Sequence, residues 1–312
     1  MLISSLPPVH QSELLRSIVA NPIVEAVRYN TGVESVCGPY GALERIQALA
    51  KPLNKPFYVD LKGRQLRIIE WAVVPDSPII LNHGISVELP ATVYLRGDQP
   101  CELREVRRGN ELFVDSKPKF VGKGQSVNIL AKRLTIEGGL LPLDHEYIKA
   151  ALEQGIRRFM LSFIESRDDV RELEEAIERH SRGAVSLEEC EIVLKIESQA
   201  GVEFVRGLEQ KHFSNGSPYR LMAARDDLMI QIGVGKMVGA LREIAEKDPR
   251  AICASRLLLG LDGGGVSMAD ISDIELMRIL GFKHFMLCDE ISREHSKEAL
   301  AFWQEYTTAN PI

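Results

Sequence analysis

The sequence predicts an α/β protein built as a (β/α)8 barrel, and three observations carry that expectation. Short apolar runs alternate with stretches of helical period along most of the chain, eight of each can be traced, and a single interval breaks the alternation. The apolar runs fall at 2–6, 24–30, 56–62, 158–163, 191–197, 220–224, 251–255 and 284–288, each the length of a buried strand. Each is followed by a stretch whose apolar residues recur three and four apart, at 11–20, 42–51, 145–154, 168–180, 201–212, 236–246, 272–280 and 296–306. An open doubly wound sheet would show fewer units and a glycine-rich first turn, which this chain lacks.

Between Leu66 and Leu141 the helical period disappears. Alternating segments such as Ser86-Val-Glu-Leu, Thr92-Val-Tyr-Leu-Arg, Glu111-Leu-Phe-Val-Asp and Gln125-Ser-Val-Asn-Ile-Leu take its place, punctuated by Gly, Pro and Asn. The expectation is a small all-β domain at 67–140, inserted after strand three of a barrel formed by 1–66 and 141–312. Insertions at a βα loop lie over the active face of a barrel and act as lids.

Composition narrows the function. The 312 residues carry 38 basic and 44 acidic side chains, interspersed, for a net charge of −6. That balance predicts no nucleic-acid partner and no membrane surface. Cys37, Cys101, Cys190, Cys253 and Cys288 show neither metal nor redox spacing, which predicts reduced thiols and a cytoplasmic location. The opening Met-Leu-Ile-Ser-Ser-Leu-Pro-Pro has no basic region or long apolar core, and no later window approaches about 18 uncharged apolar residues, so neither a signal peptide nor a membrane span is expected.

Chemistry concentrates at strand ends. Lys195 and Glu197 lie two apart and so share a face, and the next strand ends in Arg225-Asp226-Asp227. An isolated Lys-x-Glu reads as a solvated ion pair. With a further carboxylate on the neighbouring strand, it reads as a site for a hard divalent cation and an anionic substrate.

The order of motifs resembles the pyruvate kinase family. Val27-Arg-Tyr-Asn is similar to its Ala-Arg-Leu-Asn, Asp60-Leu-Lys-Gly-Arg to Asp-Thr-Lys-Gly-Pro, and Leu161-Ser-Phe-Ile to Ala-Ser-Phe-Ile. Lys195-Ile-Glu-Ser-Gln-Ala-Gly-Val is similar to Lys-Ile-Glu-Asn-x-Glu-Gly-Val, and Met222-Ala-Ala-Arg-Asp-Asp-Leu to Met-Val-Ala-Arg-Gly-Asp-Leu. Ile252-Cys-Ala-Ser-Arg-Leu-Leu is similar to Ile-Cys-Ala-Thr-Gln-Met-Leu, and Met286-Leu-Cys-Asp-Glu to Met-Leu-Ser-Gly-Glu.

The resemblance implies a barrel of the phosphoenolpyruvate/pyruvate-binding type and a phosphotransferase acting on phosphoenolpyruvate or a related enol phosphate and ADP. It implies Mg²⁺ (or Mn²⁺) on Glu197 and Asp227, with Lys195 stabilising charge on the phosphoryl group and the enolate. Arg28, Lys62 and Arg67 would hold phosphates or nucleotide. Ser162, Phe163, Ala224, Arg225 and Asp226 would line the substrate pocket, backbone amides near Arg225–Asp227 would cradle its carboxylate, and Ser255 would place a hydroxyl near the carbon that gains a proton. Asn30 and Asp60 retain two positions of the family's monovalent-cation site, but its serine and threonine are replaced, the latter by Leu61, which leaves potassium binding open. Asp226 stands where the family has glycine, an extra carboxylate on the approach of an anion. The family's regulatory C-terminal domain has no counterpart, so its sugar-phosphate allostery is not expected, and a monomer, a dimer or another homo-oligomer remains open.

A second resemblance competes. Metal-dependent aldolases and lyases of the citrate-lyase type share the barrel, an early-strand arginine and Glu and Asp ligands, and pass through pyruvate enolate. A non-catalytic metabolite-binding relative is the third expectation.

Overall fold

The computed structural model describes residues 1–33, 35–95, 100–214 and 216–311. The chain divides into two compact units, Met1–Leu61 with Pro142–Ile312, and Lys62–Leu141.

The first unit holds strands β1 (Leu2–Ser5), β2 (Ala26–Asn30) and β3 (Phe57–Leu61), and β13 (Arg158–Leu161), β14 (Glu191–Ile196), β15 (Tyr219–Ala224), β16 (Ile252–Ala254) and β17 (His284–Leu287); the intervening β4 to β12 belong to the second unit. These eight close into a barrel in which chain neighbours pair in parallel and β17 returns to β1. The expected (β/α)8 barrel is what forms.

Period-two alternation sets what the barrel interior contains. One interior layer is apolar, with Ile3, Ala26, Tyr58, Met160, Val193, Met222, Ile252 and Met286 packed together. Two residues further along, the series continues to Ser5, Arg28, Asp60, Ser162, Lys195, Ala224, Ala254 and Cys288, with Ser162 and Cys288 just past their strands, and the charged residues among them fall here. The polar layer thus lies at the C-terminal mouth, where barrels place their chemistry.

Helices α1 (Ser12–Ala20), α2 (Gly38–Ala50), α3 (Pro142–Glu153), α4 (Arg167–Ser181), α5 (Gln199–Gly207), α6 (Arg225–Ile232), α7 (Val234–Lys247), α8 (Met268–Ile279), α9 (Asp289–Glu294) and α10 (Ser296–Ala309) complete this unit. Local signals fix several starts. Ser166 and Asp169 form a capping box on α4, Ser267 and Asp270 another on α8, and Ser198 accepts the Gly201 amide on α5. Gly201 is needed for space, because a Cβ there would sit 2.7 Å from the Ile164 carbonyl oxygen.

Some boundaries differ from expectation. Helix α2 begins at Gly38 rather than 42, because Pro39 is tolerated in a first turn. The helix expected at 201–212 ends at Gly207, and Gln210–Phe213 forms a separate 3-10 turn. The short helix α9 lies outside the expected helices, and α6 begins at Arg225, among the expected site residues, well before the helix expected at 236–246.

The second unit contains β4 (Ala72–Val74), β5 (Ile79–Ile80), β6 (Ile85–Val87), β7 (Ala91–Leu95), β8 (Cys101–Arg107), β9 (Glu111–Asp115), β10 (Lys119–Val121), β11 (Val127–Ala131) and β12 (Leu134–Ile136). A five-stranded sheet runs β11-β7-β8-β9-β5, beside the pairs β10-β4 and β12-β6. Their alternate residues bury Val74, Ile79, Leu81, Val93, Leu112 and Ile129 in one core. Lys62 and Arg67 belong to this unit. Within it, the Arg67 guanidinium donates to Gln65 Oε1 at 2.9 Å and to the Gly124 carbonyl at 2.6 Å.

All five cysteines are free thiols. Among the described residues, no helix is long and apolar enough to cross a membrane.

Candidate active site

The barrel mouth is organised around Asp60, at the end of β3 and fully buried. Its Oδ2 accepts Nε of Arg28 at 2.9 Å and also the Nη2 of the same guanidinium, while its Oδ1 receives Lys195 Nζ at 3.3 Å. Two cations therefore share one carboxylate. Lys195 also donates to Ser162 Oγ at 2.7 Å and lies 3.3 Å from Glu197 Oε1. Ser162 in turn donates to the Leu61 carbonyl at 3.1 Å. Lys195 is buried, and its ammonium is thus fixed from three sides.

Burial works against charge on Lys195, but Asp60 and Glu197 outweigh it and hold the ammonium above its ordinary pKa. The same is true of Arg28, where Asp289 and Asp60 overcome desolvation. Both groups are permanent cations.

Glu197 is the opposite case. Burial first, and Asp227 in addition, push its carboxyl up to about 7, although Lys195 and the Phe163 amide pull it down. That amide donates to Glu197 Oε2 at 2.7 Å, from a residue held at φ +53°. A non-glycine residue in the left-handed region costs about 1 kcal/mol, and here the conformation aims a backbone N–H at the site. The sequence places Phe163 in the expected pocket, and it is the backbone amide of that residue that meets Glu197.

Asp227 stands in the first turn of α6, close enough to act electrostatically on both Lys195 and Glu197. Among the described residues, no cluster of three or more His, Cys, Asp or Glu side chains is disposed to hold a metal. Two carboxylates, one of them raised by burial and to a lesser degree by the other, nevertheless suit a hard divalent ion, which commonly takes one or two protein carboxylates and completes its shell with substrate and water. The monovalent-cation positions fit less well. Asn30 Oδ1 already accepts the Gly32 amide at 3.0 Å and both Asp60 oxygens accept cationic donors, an ion-pair arrangement rather than a potassium ligand set.

Ala224 ends β15, and Arg225 and Asp226 do not continue the strand alternation, because α6 starts at Arg225. The Arg225 guanidinium turns to structural work, donating to the Ser255 carbonyl at 3.0 and 2.7 Å and to Asp273 at 2.7 and 2.8 Å. Its backbone amide remains in the first turn of the helix, where an anion is favoured. Ser255, at φ +68°, and Arg256, at φ +57°, shape the following loop. Arg256 lies 2.9 Å from Asp226, so the extra carboxylate is countered by a cation from that loop. Arg225→Ala is expected to cost about 2–4 kcal/mol in urea denaturation and to accelerate proteolysis of the loop after Ser255.

The sequence did not single out Asp289. From the first turn of α9, its Oδ1 accepts Arg28 Nη1 at 2.8 Å and its Oδ2 accepts Asn30 Nδ2 at 2.8 Å. Ser5 Oγ accepts the same Nη1 at 3.0 Å. Nothing in local periodicity marks Asp289, because its partners lie on a strand near the other end of the chain.

Fold and mouth together define a (β/α)8 barrel protein with a buried ion-pair network and two converging carboxylates. In sequence, the chain is similar to a pyruvate kinase from Methanocaldococcus jannaschii, 25% identical over 228 residues, which is 68% of this chain and 46% of that protein. The chain therefore matches less than half the length of that relative. No family model matches the sequence.

Proposed function

We propose that the barrel mouth binds a pyruvate-type ligand together with Mg²⁺ or Mn²⁺ and stabilises its enolate. The observation that carries this reading is the Lys195 ammonium, immobilised by Ser162, Asp60 and Glu197 beside Asp227. A fixed cation in a dry site stabilises developing oxyanion charge without reorganising. A divalent cation on Glu197 and Asp227, when bound, would supply Lewis-acid polarisation of the ligand oxygen. The chain's own residues orient the ligand: amides at the start of α6 face its carboxylate, and the Ser255 hydroxyl stands on the loop beside them.

Similarity to a pyruvate kinase favours one form of this chemistry, phosphoryl transfer between phosphoenolpyruvate or a related enol phosphate and ADP. The bridge from Asp289 to Arg28 favours the other, enolate chemistry of 2-oxo acids without phosphoryl transfer, as in an aldolase, lyase or decarboxylase. Two measurements separate them. Exchange of pyruvate methyl protons with deuterium, followed by NMR with Mg²⁺, is expected in both and should fall about a hundredfold or more in Lys195→Met. Pyruvate formation from phosphoenolpyruvate and ADP is expected only in the first. Absence of both activities in the folded protein would overturn the enolate reading and leave a binding role.

A further inference from the structure

We propose that Asp289 is a built-in carboxylate ligand of Arg28 and Asn30 that excludes phosphate from this side of the barrel mouth and restricts the site to ligands without a phosphoryl group, such as 2-oxo monocarboxylates. The substrate class rests on the pyruvate-type reading above; the exclusion of phosphate does not.

Arg28 has two carboxylate partners of different kinds. Its Nε edge is already paired with Asp60, a fully buried carboxylate on the adjacent strand. Asp289 is a second and different partner, with a side chain 38% exposed, carried by a six-residue helix. Its two oxygens are divided between Nη1 of the guanidinium, which also donates to Ser5 Oγ, and the Asn30 amide, each at 2.8 Å. An arginine and an asparagine presenting N–H donors side by side are a receptor for a carboxylate or a phosphate. Here the receptor is filled by the chain itself.

Charge points the same way. Asp289 adds a carboxylate to a mouth that already holds Asp60, Glu197 and Asp227, and a further negative charge beside Arg28 works against a phosphate, which carries two or more, more than against a monocarboxylate.

The test titrates inorganic phosphate, in metal-free buffer, into the wild type, Asp289→Asn and Asp289→Ala by calorimetry. Asparagine keeps the shape and one acceptor for Arg28 while removing the charge, and alanine empties the receptor; melting curves check that each variant is folded. The expected result is an affinity for phosphate at least about tenfold higher in both variants than in the wild type, lost again when Arg28→Met is added. Equal phosphate binding in the wild type and the two variants would overturn the proposal. A second arm titrates pyruvate with Mg²⁺, for which the wild type and Asp289→Asn should agree within about threefold. Phosphate gain without pyruvate binding in any form would sustain the role of Asp289 and overturn the pyruvate-type reading. Pyruvate binding without phosphate gain would do the reverse.

Discussion

Lys195→Met is expected to destabilise the barrel by about 3–5 kcal/mol at pH 8. The side chain is buried between Asp60 and Glu197, both almost wholly removed from water that could replace the lost ammonium; Asp60 keeps Arg28, so the loss falls on Glu197. Removing one member of a buried pair leaves an uncompensated charge, which costs more than the pair itself contributes. Methionine fills most of the volume, so the loss reports charge rather than a cavity. The effect should depend on pH in a definite direction. Glu197 is held up to about 7 by burial and then by Asp227, despite the attraction of Lys195. Without that attraction its carboxyl rises further and is neutral at pH 6, where it no longer needs a cation. Urea denaturation should therefore show a smaller difference between variant and wild type at pH 6 than at pH 8. An equal difference at both would mean that Lys195 is held by Asp60 alone.

The same network shows what the sequence discloses and what it hides. Strands of a parallel barrel are continuous apolar runs, and the two-residue period carries each one directly from a core residue to a mouth residue, from Val193 to Lys195 or from Ala26 to Arg28. The positions of the mouth residues were therefore legible. Their partners were not. Asp60 reads from its motif as one of a cation's ligands, yet it bonds residues 32 and 135 positions away in the chain. Asp289 lies 261 positions from Arg28, on a helix too short to show an apolar stripe. Helix α6 is hidden for a related reason, since Leu228 and Ile232 are its only buried apolar residues and Arg225 is buried beside them. Asp226 was legible as an unfavourable carboxylate, but its neutralisation by Arg256 depends on a left-handed loop after β16 that no periodicity announces. Periodic elements are set by local pattern, whereas an ion-pair network is set by which strand ends the barrel brings together.

Glu197→Gln is expected to make the metal-free protein more stable at pH 8, by about 1–3 kcal/mol, while weakening its response to Mg²⁺. The carboxyl has a folded value of about 7 against an ordinary 4.5. Between those values the native state keeps a proton that the unfolded chain releases, so stability falls as pH rises through the window, by about 1.4 kcal/mol per unit. Below about pH 4.5 both states are protonated and the group contributes no difference. Above about 7 the native state carries a buried carboxylate against Asp227, and the full penalty, about 3 kcal/mol, is present. Glutamine removes that penalty and still offers an oxygen to the Phe163 amide, although Lys195 loses one of its two anionic partners, which reduces the gain. At pH 5 the variant and wild type should melt within a degree or two of each other, and at pH 8 the variant should melt several degrees higher. Adding Mg²⁺ at pH 8 should then raise the wild type and move the variant much less, because a neutral amide oxygen holds a hard cation far more weakly than a carboxylate does. A variant that melts below the wild type at pH 8 without metal would show that Lys195 fully compensates Glu197. The site would then be a structural ion pair, with no charge left over for a metal to satisfy.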